Sequence, residues 1–304
     1  MKVLITGAKG MLGRTLVEEL QGFELIPTDM EVDITDARQF DAALALHHPD
    51  CVIHCAAMTA VDKCETEKDL AFRINARGSE NVARACATHN ARLIAISTDY
   101  AFPGDSDQPY SETDFANGGK TVYGQSKFAG EEAIRLYAPN HIVARIAWLY
   151  GKGGPSFVHA MLSLAQRGLP ELKVVNDQHG NPTSTLAVAR HLRLLLARPE
   201  LKGTFHLTCE AEATWYEFAC EIFRLRSIAQ KVVPCTTAEF PRPAPRPTNS
   251  RLEKRHCGLP AFPLCPIGRM RSRSFCHRRY ELSQRIRGVS CSPCCTCLPC
   301  YPMI

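Results

Sequence analysis

Through the first 150 residues, short apolar runs alternate with stretches of helical period. Residues 2–6 predict a strand, and residues 11–21 a helix whose Leu12, Leu16, Val17 and Leu20 share one face. A second strand is expected at 23–27. Asp36 then stands where an N-cap belongs, ahead of Phe40, Leu44 and Leu46 at helical spacing. Further strands are read at 51–54, 92–97 and 141–146, with helices at 70–86 and 123–136. Strand and helix in strict alternation predict a parallel sheet covered on both faces, a doubly wound α/β fold of Rossmann type. Beyond Gly151 the spacing loosens: helices at 157–166, 185–196 and 215–226, strands at 172–175 and 205–207, then a run from Pro241 to Pro247 that excludes helix and central strand. This predicts a dinucleotide-type domain over 1–150 and a smaller substrate lobe over 151–263.

The chemistry begins at the first strand–helix junction. Gly7, Gly10 and Gly13, with Met11 and Leu12 between them, form a turn that lets a backbone approach a pyrophosphate and opens a helix N-terminus toward it. Asp29, just past the second strand, suits an adenosine ribose and disfavours a 2′-phosphate, whereas Arg14 would pair with that phosphate. The two signals oppose each other, so NADH and NADPH both stay open. Asp33 and Ile34 follow at the expected adenine edge, where Asp33 reads equally well as a plain helix-entry acid.

Tyr123 and Lys127 lie one helical turn apart, so phenol and ammonium share a face. A neighbouring ammonium should favour the phenolate and bring the tyrosine into range for general acid–base work. Thr98, at the carboxyl end of a parallel strand, is placed to donate to a carbonyl oxygen that gains charge. Tyr-x-x-x-Lys alone is weak; the glycine turn, the strand-end hydroxyl and the tyrosine–lysine helix, in this order, resemble an extended short-chain dehydrogenase/reductase.

Longer runs narrow the resemblance. They are Cys55-Ala56-Ala57-Met58-Thr59-Ala60-Val61-Asp62-Lys63-Cys64-Glu65, Ser97-Thr98-Asp99-Tyr100-Ala101-Phe102-Pro103-Gly104, the segment from Arg145 through Trp148 to Gly151, Asn176 through Thr183, and Arg242 through Ser250. Together, over about residues 1–263, they resemble the dTDP-4-dehydrorhamnose reductase family. The resemblance implies reduction of the C4 ketone of dTDP-4-dehydro-6-deoxy-L-mannose by NADPH or NADH, with Thr98, Tyr123 and Lys127 as the catalytic trio. It implies that Ala56, Ala57 and Thr59 border the cofactor and that Thr59, Val61, Ala101 and Trp148 border the sugar. Arg242 and Arg246, between prolines, would clamp the diphosphate. Asn75 falls mid-helix, where a polar residue is more often solvated than catalytic, although similar reductases use an asparagine near there structurally. The resemblance also raises a Mg²⁺ ion and a homodimer as accompaniments. Two departures stand out: Ala116–Val122 replaces a proline-containing approach to the tyrosine, and Pro155-Ser156 stands where an asparagine normally precedes the phenylalanine. Other readings of the same fold are a nucleotide-sugar epimerase and a non-catalytic dinucleotide-binding regulator.

Composition changes this picture only at one end. The chain has 304 residues, 45% hydrophobic and 22% charged, which excludes a disordered chain. No apolar run is long enough to span a bilayer and no secretory leader is read, so a cytoplasmic protein is expected. The net charge of +5 is concentrated after residue 263: that segment holds seven arginines, no lysine and the single acid Glu281. The rest is nearly neutral, which argues against a nucleic-acid partner. The same segment carries seven cysteines, including Cys291, Cys294, Cys295, Cys297 and Cys300. A zinc site and a basic tail are both conceivable, but out-of-frame translation fits the composition best, leaving 264–304 as a disordered appendage. The seven cysteines from Cys51 to Cys235 read as small buried hydrophobes rather than ligands.

Overall fold

The computed structural model describes residues 1–210 and 212–255. The cysteine-rich tail, the expectation of its disorder and the last residues of the expected lobe lie outside them. Six parallel strands form the central sheet in the order Gly203–His206, His141–Ile146, Arg92–Thr98, Cys51–His54, Lys2–Thr6, Glu24–Pro27. Strands buried on both faces carry continuous apolar runs: Cys51–His54 is fully buried, as are Val3, Leu4 and Ile5.

Two cores flank the sheet. On one face Leu12 and Leu16 of the helix Met11–Glu19, with Leu20 just past its end, meet Val188, Leu192 and Leu195 of the helix Thr185–Leu196. On the other, Phe40 and Leu44 pack with Val82, Cys86 and Ile134. Asp36 does cap the helix Ala37–His47, its carboxylate accepting from the amides of Arg38 and Gln39.

The boundary expected at 150 does not follow the packing. The strand read as part of the smaller lobe pairs in register with His141–Ile146 and completes the main sheet, and the helix Thr185–Leu196 covers that sheet's face. The sheet thereby gains one more strand, with Gly203–His206 as its edge and His141–Ile146 paired on both sides. A satellite layer remains, in which the helices Phe157–Ala165 and Trp215–Arg226 pack over the parallel pair Leu172–Val175 and Val232–Cys235.

The long helix expected at 70–86 is Lys68–Phe72 and Ser79–Thr88 joined by a π-helical segment, Arg73–Gly78. Asn75 sits in that widened segment and is buried rather than solvated. Its amide oxygen accepts from Met58 N (2.8 Å), and its nitrogen donates to Met58 O and Ser126 Oγ, both at 3.0 Å. The wider turn aims an interior side chain at a neighbouring loop, tying the run after the third strand to the tyrosine helix. Of the seven cysteines, five are buried as expected, while Cys55 and Cys220 are half-buried; none forms a disulfide among the described residues.

Candidate active site

A cavity of about 990 Å³ runs along the carboxyl ends of the parallel strands, where open α/β sheets bind ligands. It starts at the glycine turn. Gly7 has φ +66°, and a side chain there would lie 2.8 Å from the Ala56 nitrogen. A Cβ on Gly13 would stand 2.3 Å from the Gly7 carbonyl oxygen. The helix Met11–Glu19 that follows has no side-chain cap and no acid in its first turn, so its leading amides are open to an anion. These features fit a dinucleotide pyrophosphate.

Met11, Leu12, Asp29, Asp33 and Ile34 line the same end, and Ala56, Ala57, Thr59 and Val61 continue the wall. Asp29 accepts from the amides of Lys9 (2.8 Å) and Met30 (3.0 Å), while Lys9 Nζ pairs with Glu31 at 3.0 Å. Arg14 is not among the lining residues; its Nε donates to the Lys9 carbonyl oxygen at 2.7 Å. Asp33 Oδ1 accepts from Thr35 N, so this acid also shapes its own turn.

The reactive wall lies at the other end. Thr121 caps the helix Val122–Tyr137, its hydroxyl accepting from Gly124 N at 2.9 Å, and this fixes Tyr123 in the first turn. Tyr123 and Lys127 are buried, and both line the cavity with Thr98 and Trp148. Lys127 Nζ donates to the Ile96 carbonyl oxygen at 2.8 Å. The electrostatics differ from the expectation. Burial pushes the Tyr123 phenol well above its ordinary range; the Thr98 hydroxyl only partly opposes this, and the Asp99 and Cys64 charges add to it. The Lys127 ammonium is itself pushed down to about 8 by burial, against the pull of Glu131 and Cys55. Desolvation outweighs the cation here, so the phenol is held protonated at neutral pH. That is the form that donates to a carbonyl oxygen.

Two acids that sequence reasoning passed over complete this wall. Asp99 is buried and accepts from the Thr98 hydroxyl at 2.8 Å, while Tyr100 N donates to that same hydroxyl oxygen at 3.2 Å. Burial raises Asp99 to about 6 despite the Ser250 and Thr98 hydroxyls beside it. Glu131, one turn beyond Lys127, lies beneath the site and takes both Arg145 Nε (3.0 Å) and Nη2 (2.7 Å), together with Arg135 Nη2 (2.7 Å) and the Ser97 hydroxyl. Burial opposes its ionisation, but Arg145 chiefly keeps the carboxylate charged. The signals were present: an acid directly after the strand-end hydroxyl, and a Tyr–Lys–Glu repeat every four residues.

Three expected substrate contacts are not on the cavity wall. Ala101 ends the 3₁₀ turn Asp99–Ala101, which carries it into a fully buried cluster with Phe102 and Ala147. Arg242 and Arg246 pair with Asp62 at 3.0 and 2.9 Å. Burial opposes charge on Asp62, but the Ala244 amide and the two arginines hold its carboxyl below the usual range. The guanidinium groups have found an acid within the chain rather than the cavity. The departures have structural substitutes. Gly118 and Gly119, at φ +85° and +62°, fold the approach segment onto Tyr100–Phe102, and Ser156 caps the helix Phe157–Ala165 in place of an asparagine. No group of three or more His, Cys, Asp or Glu side chains among the described residues is arranged to hold a metal ion, so the geometry lends Mg²⁺ no support.

The family described as "RmlD substrate binding domain" matches residues 1–262. The dTDP-4-dehydrorhamnose reductase of Streptomyces griseus is 42% identical over 260 residues, covering 83% of this chain and 85% of the relative. That of Escherichia coli K12 is 36% identical over 268 residues, 83% of this chain and 89% of the relative. Among solved structures, a dTDP-4-dehydrorhamnose reductase of Clostridium acetobutylicum superposes with a TM-score of 0.81 at 46% identity, over 84% of this chain and 90% of that one. One from Bacillus anthracis, in complex with NADP, has a TM-score of 0.81 at 37% identity, over 84% and 91%. With a continuous match across the sheet, the glycine turn and the tyrosine–lysine helix, the chain belongs to the RmlD substrate binding domain family.

Proposed function

We propose that the chain is a reductase that converts the C4 ketone of dTDP-4-dehydro-6-deoxy-L-mannose to the alcohol of dTDP-L-rhamnose, using NADPH or NADH. The observation that carries this reading is the convergence of Thr98, Tyr123 and Lys127 on one wall of a cavity that begins at the Gly7–Gly13 turn.

The turn and the open amides of the helix Met11–Glu19 would hold the pyrophosphate, with Asp29 at the ribose end. A bound nicotinamide supplies the hydride. Tyr123, kept protonated by burial, gives its proton to the oxygen that becomes the hydroxyl. Thr98 steers that oxygen toward the phenol, and Lys127 fixes the cofactor side of the tyrosine. Val61, Thr59 and Trp148 bound the space left for the sugar. Arg242 and Arg246 would reach a diphosphate only by leaving Asp62. No helix among the described residues is long and apolar enough to cross a membrane. We assign the activity to the cytoplasm, with a homodimer as the assembly that sedimentation should find.

Tyr123→Phe tests the reading. Turnover of the dTDP-4-keto sugar, followed by NADPH or NADH absorbance, should fall by at least about a hundredfold, the scale of losing a general acid. Cofactor binding, read by fluorescence titration, should be retained. Unchanged turnover would overturn the mechanism. Stoichiometric consumption of the reduced cofactor separates this function from epimerisation, which leaves its level constant.

A further inference from the structure

The chain contains two tryptophans, and they stack on each other: the rings of Trp148 and Trp215 lie 3.5 Å apart between centroids and 7° from parallel. Trp148 lines the catalytic cavity and also a smaller one of about 160 Å³, on whose wall Trp215 lies with Tyr100 and Gln178. The backbone of Trp148 is left-handed, with φ +46°, a conformation that a bulky residue holds only when its surroundings enforce it. Those surroundings are visible. The Trp148 carbonyl oxygen accepts from Thr183 N at 3.2 Å. The indole lies so close to Gly180 that a Cβ there would stand 2.3 Å from Trp148 Cε2.

Trp215 is itself anchored. It is the first residue of the helix Trp215–Arg226, whose start is locked by a capping box of Thr214 and Glu217. Its indole N–H donates to Gln178 Oε1 at 3.1 Å, and its ring packs on Phe157 and Phe218. A ring fixed at both its polar and apolar sides is a support, not a mobile plug.

We propose that Trp215 is a positioning residue that, with Gly180, holds Trp148 in its strained pose and so sets the sugar-side wall of the catalytic cavity. Trp215 does not border that cavity; it acts through the ring it covers. The proposal rests on the reading of the cavity as a nucleotide-sugar reductase site.

Two stacked indoles in a chain with no others give an exciton-split band in far-ultraviolet circular dichroism, so the placement can be read without turnover. The wild-type protein should show that band and keep it at saturating dTDP-4-keto sugar. Trp215→Leu retains apolar volume against Phe157 and Phe218. It should abolish the band and leave the single remaining tryptophan, Trp148, several-fold more open to acrylamide quenching. KM for the nucleotide sugar should rise about five- to tenfold, the scale of a lost aromatic pair, with KM for NADPH unchanged. Trp215→Phe should also lose the band but recover most of the affinity and of the protection from quenching. Three results would overturn the proposal: no band in the wild type, loss of the band on adding sugar, or a folded Trp215→Leu protein with unchanged quenching and KM. A wild type inactive on the sugar would refute the reductase reading, while the band and the quenching still decide where Trp148 is held. Should Trp215→Leu not fold, Trp215→Phe alone suffices: there the proposal fails if Trp148 is as open to acrylamide as free indole.

Discussion

Replacing Asp99 by Asn should stabilise the protein, and by more as the pH rises. The carboxyl is buried, and Oδ1 takes the Thr98 hydroxyl at 2.8 Å, with the Ser250 hydroxyl the other donor beside the group. Burial lifts its pKa from the ordinary 3.8 to about 6. An acid raised on folding contributes fully below its unfolded pKa, and that contribution is lost as pH climbs through the folded value. Above pH 7 the ionised group therefore costs the fold on the order of 3 kcal/mol relative to a neutral one. At pH 5 the same linkage leaves a cost of about 1.6 kcal/mol, so the gap between Asp99→Asn and wild type should widen by about 1.4 kcal/mol from pH 5 to pH 8. Asparagine keeps the acceptor for Thr98 and cannot ionise. Urea denaturation of both proteins at several pH values reads this directly, since groups common to the two cancel. Burial, and after it the charge of Asp99, places Tyr100 far above this window, and Tyr123 likewise titrates above it, so neither interferes. Parallel stability curves, with a gap independent of pH, would refute the argument that desolvation governs this acid.

Other substitutions probe the remaining parts. Lys127→Met should lose turnover yet gain up to about 3 kcal/mol at pH 7, because an ammonium lowered from 10.5 to about 8 is costly below that pH. The gain should vanish by pH 10 to 11 in the same urea assay, and a variant less stable at pH 7 would contradict it. Glu131→Gln strands Arg145 in the interior and should cost about 3–5 kcal/mol, whereas Glu131→Leu with Arg145→Met should recover most of it. Gly13→Ala pushes a Cβ into the Gly7 carbonyl, so NADPH binding by fluorescence titration should weaken at least tenfold, with a stability loss of about 1–3 kcal/mol in thermal melts.

How much of this was legible in the sequence depended on whether a signal was local. The parallel sheet was, because fully buried strands carry unbroken apolar runs, and strand bounds at 2–6, 51–54 and 141–146 match the structure. The i, i+4 placement of Tyr123 and Lys127 follows from helix geometry alone, and the glycine turn from backbone sterics. What escaped was long-range. Nothing near residue 205 says that it pairs with residue 144 rather than within the later layer. The preference of Arg242 and Arg246 for Asp62 is a contest between partners nearly two hundred residues apart. The direction of the tyrosine's shift is hidden from the sequence because neighbours along the chain reveal a nearby charge but not the extent of desolvation. The structural role of Asn75, open in the sequence beside a solvated one, could not be settled there because a π-helical turn has no evident signature in a pattern of apolar spacing.

The late-arriving edge strand makes the two halves inseparable. An excised nucleotide module ending near residue 150 would lack Gly203–His206 and present His141–Ile146 as an open template for its own kind. Such a fragment should polymerise rather than bind a dinucleotide. Chimaeras that exchange specificity between relatives must therefore take the first half and the returning strand from the same parent, and exchange only the layer that includes Phe157–Ala165 and Leu172–Val175.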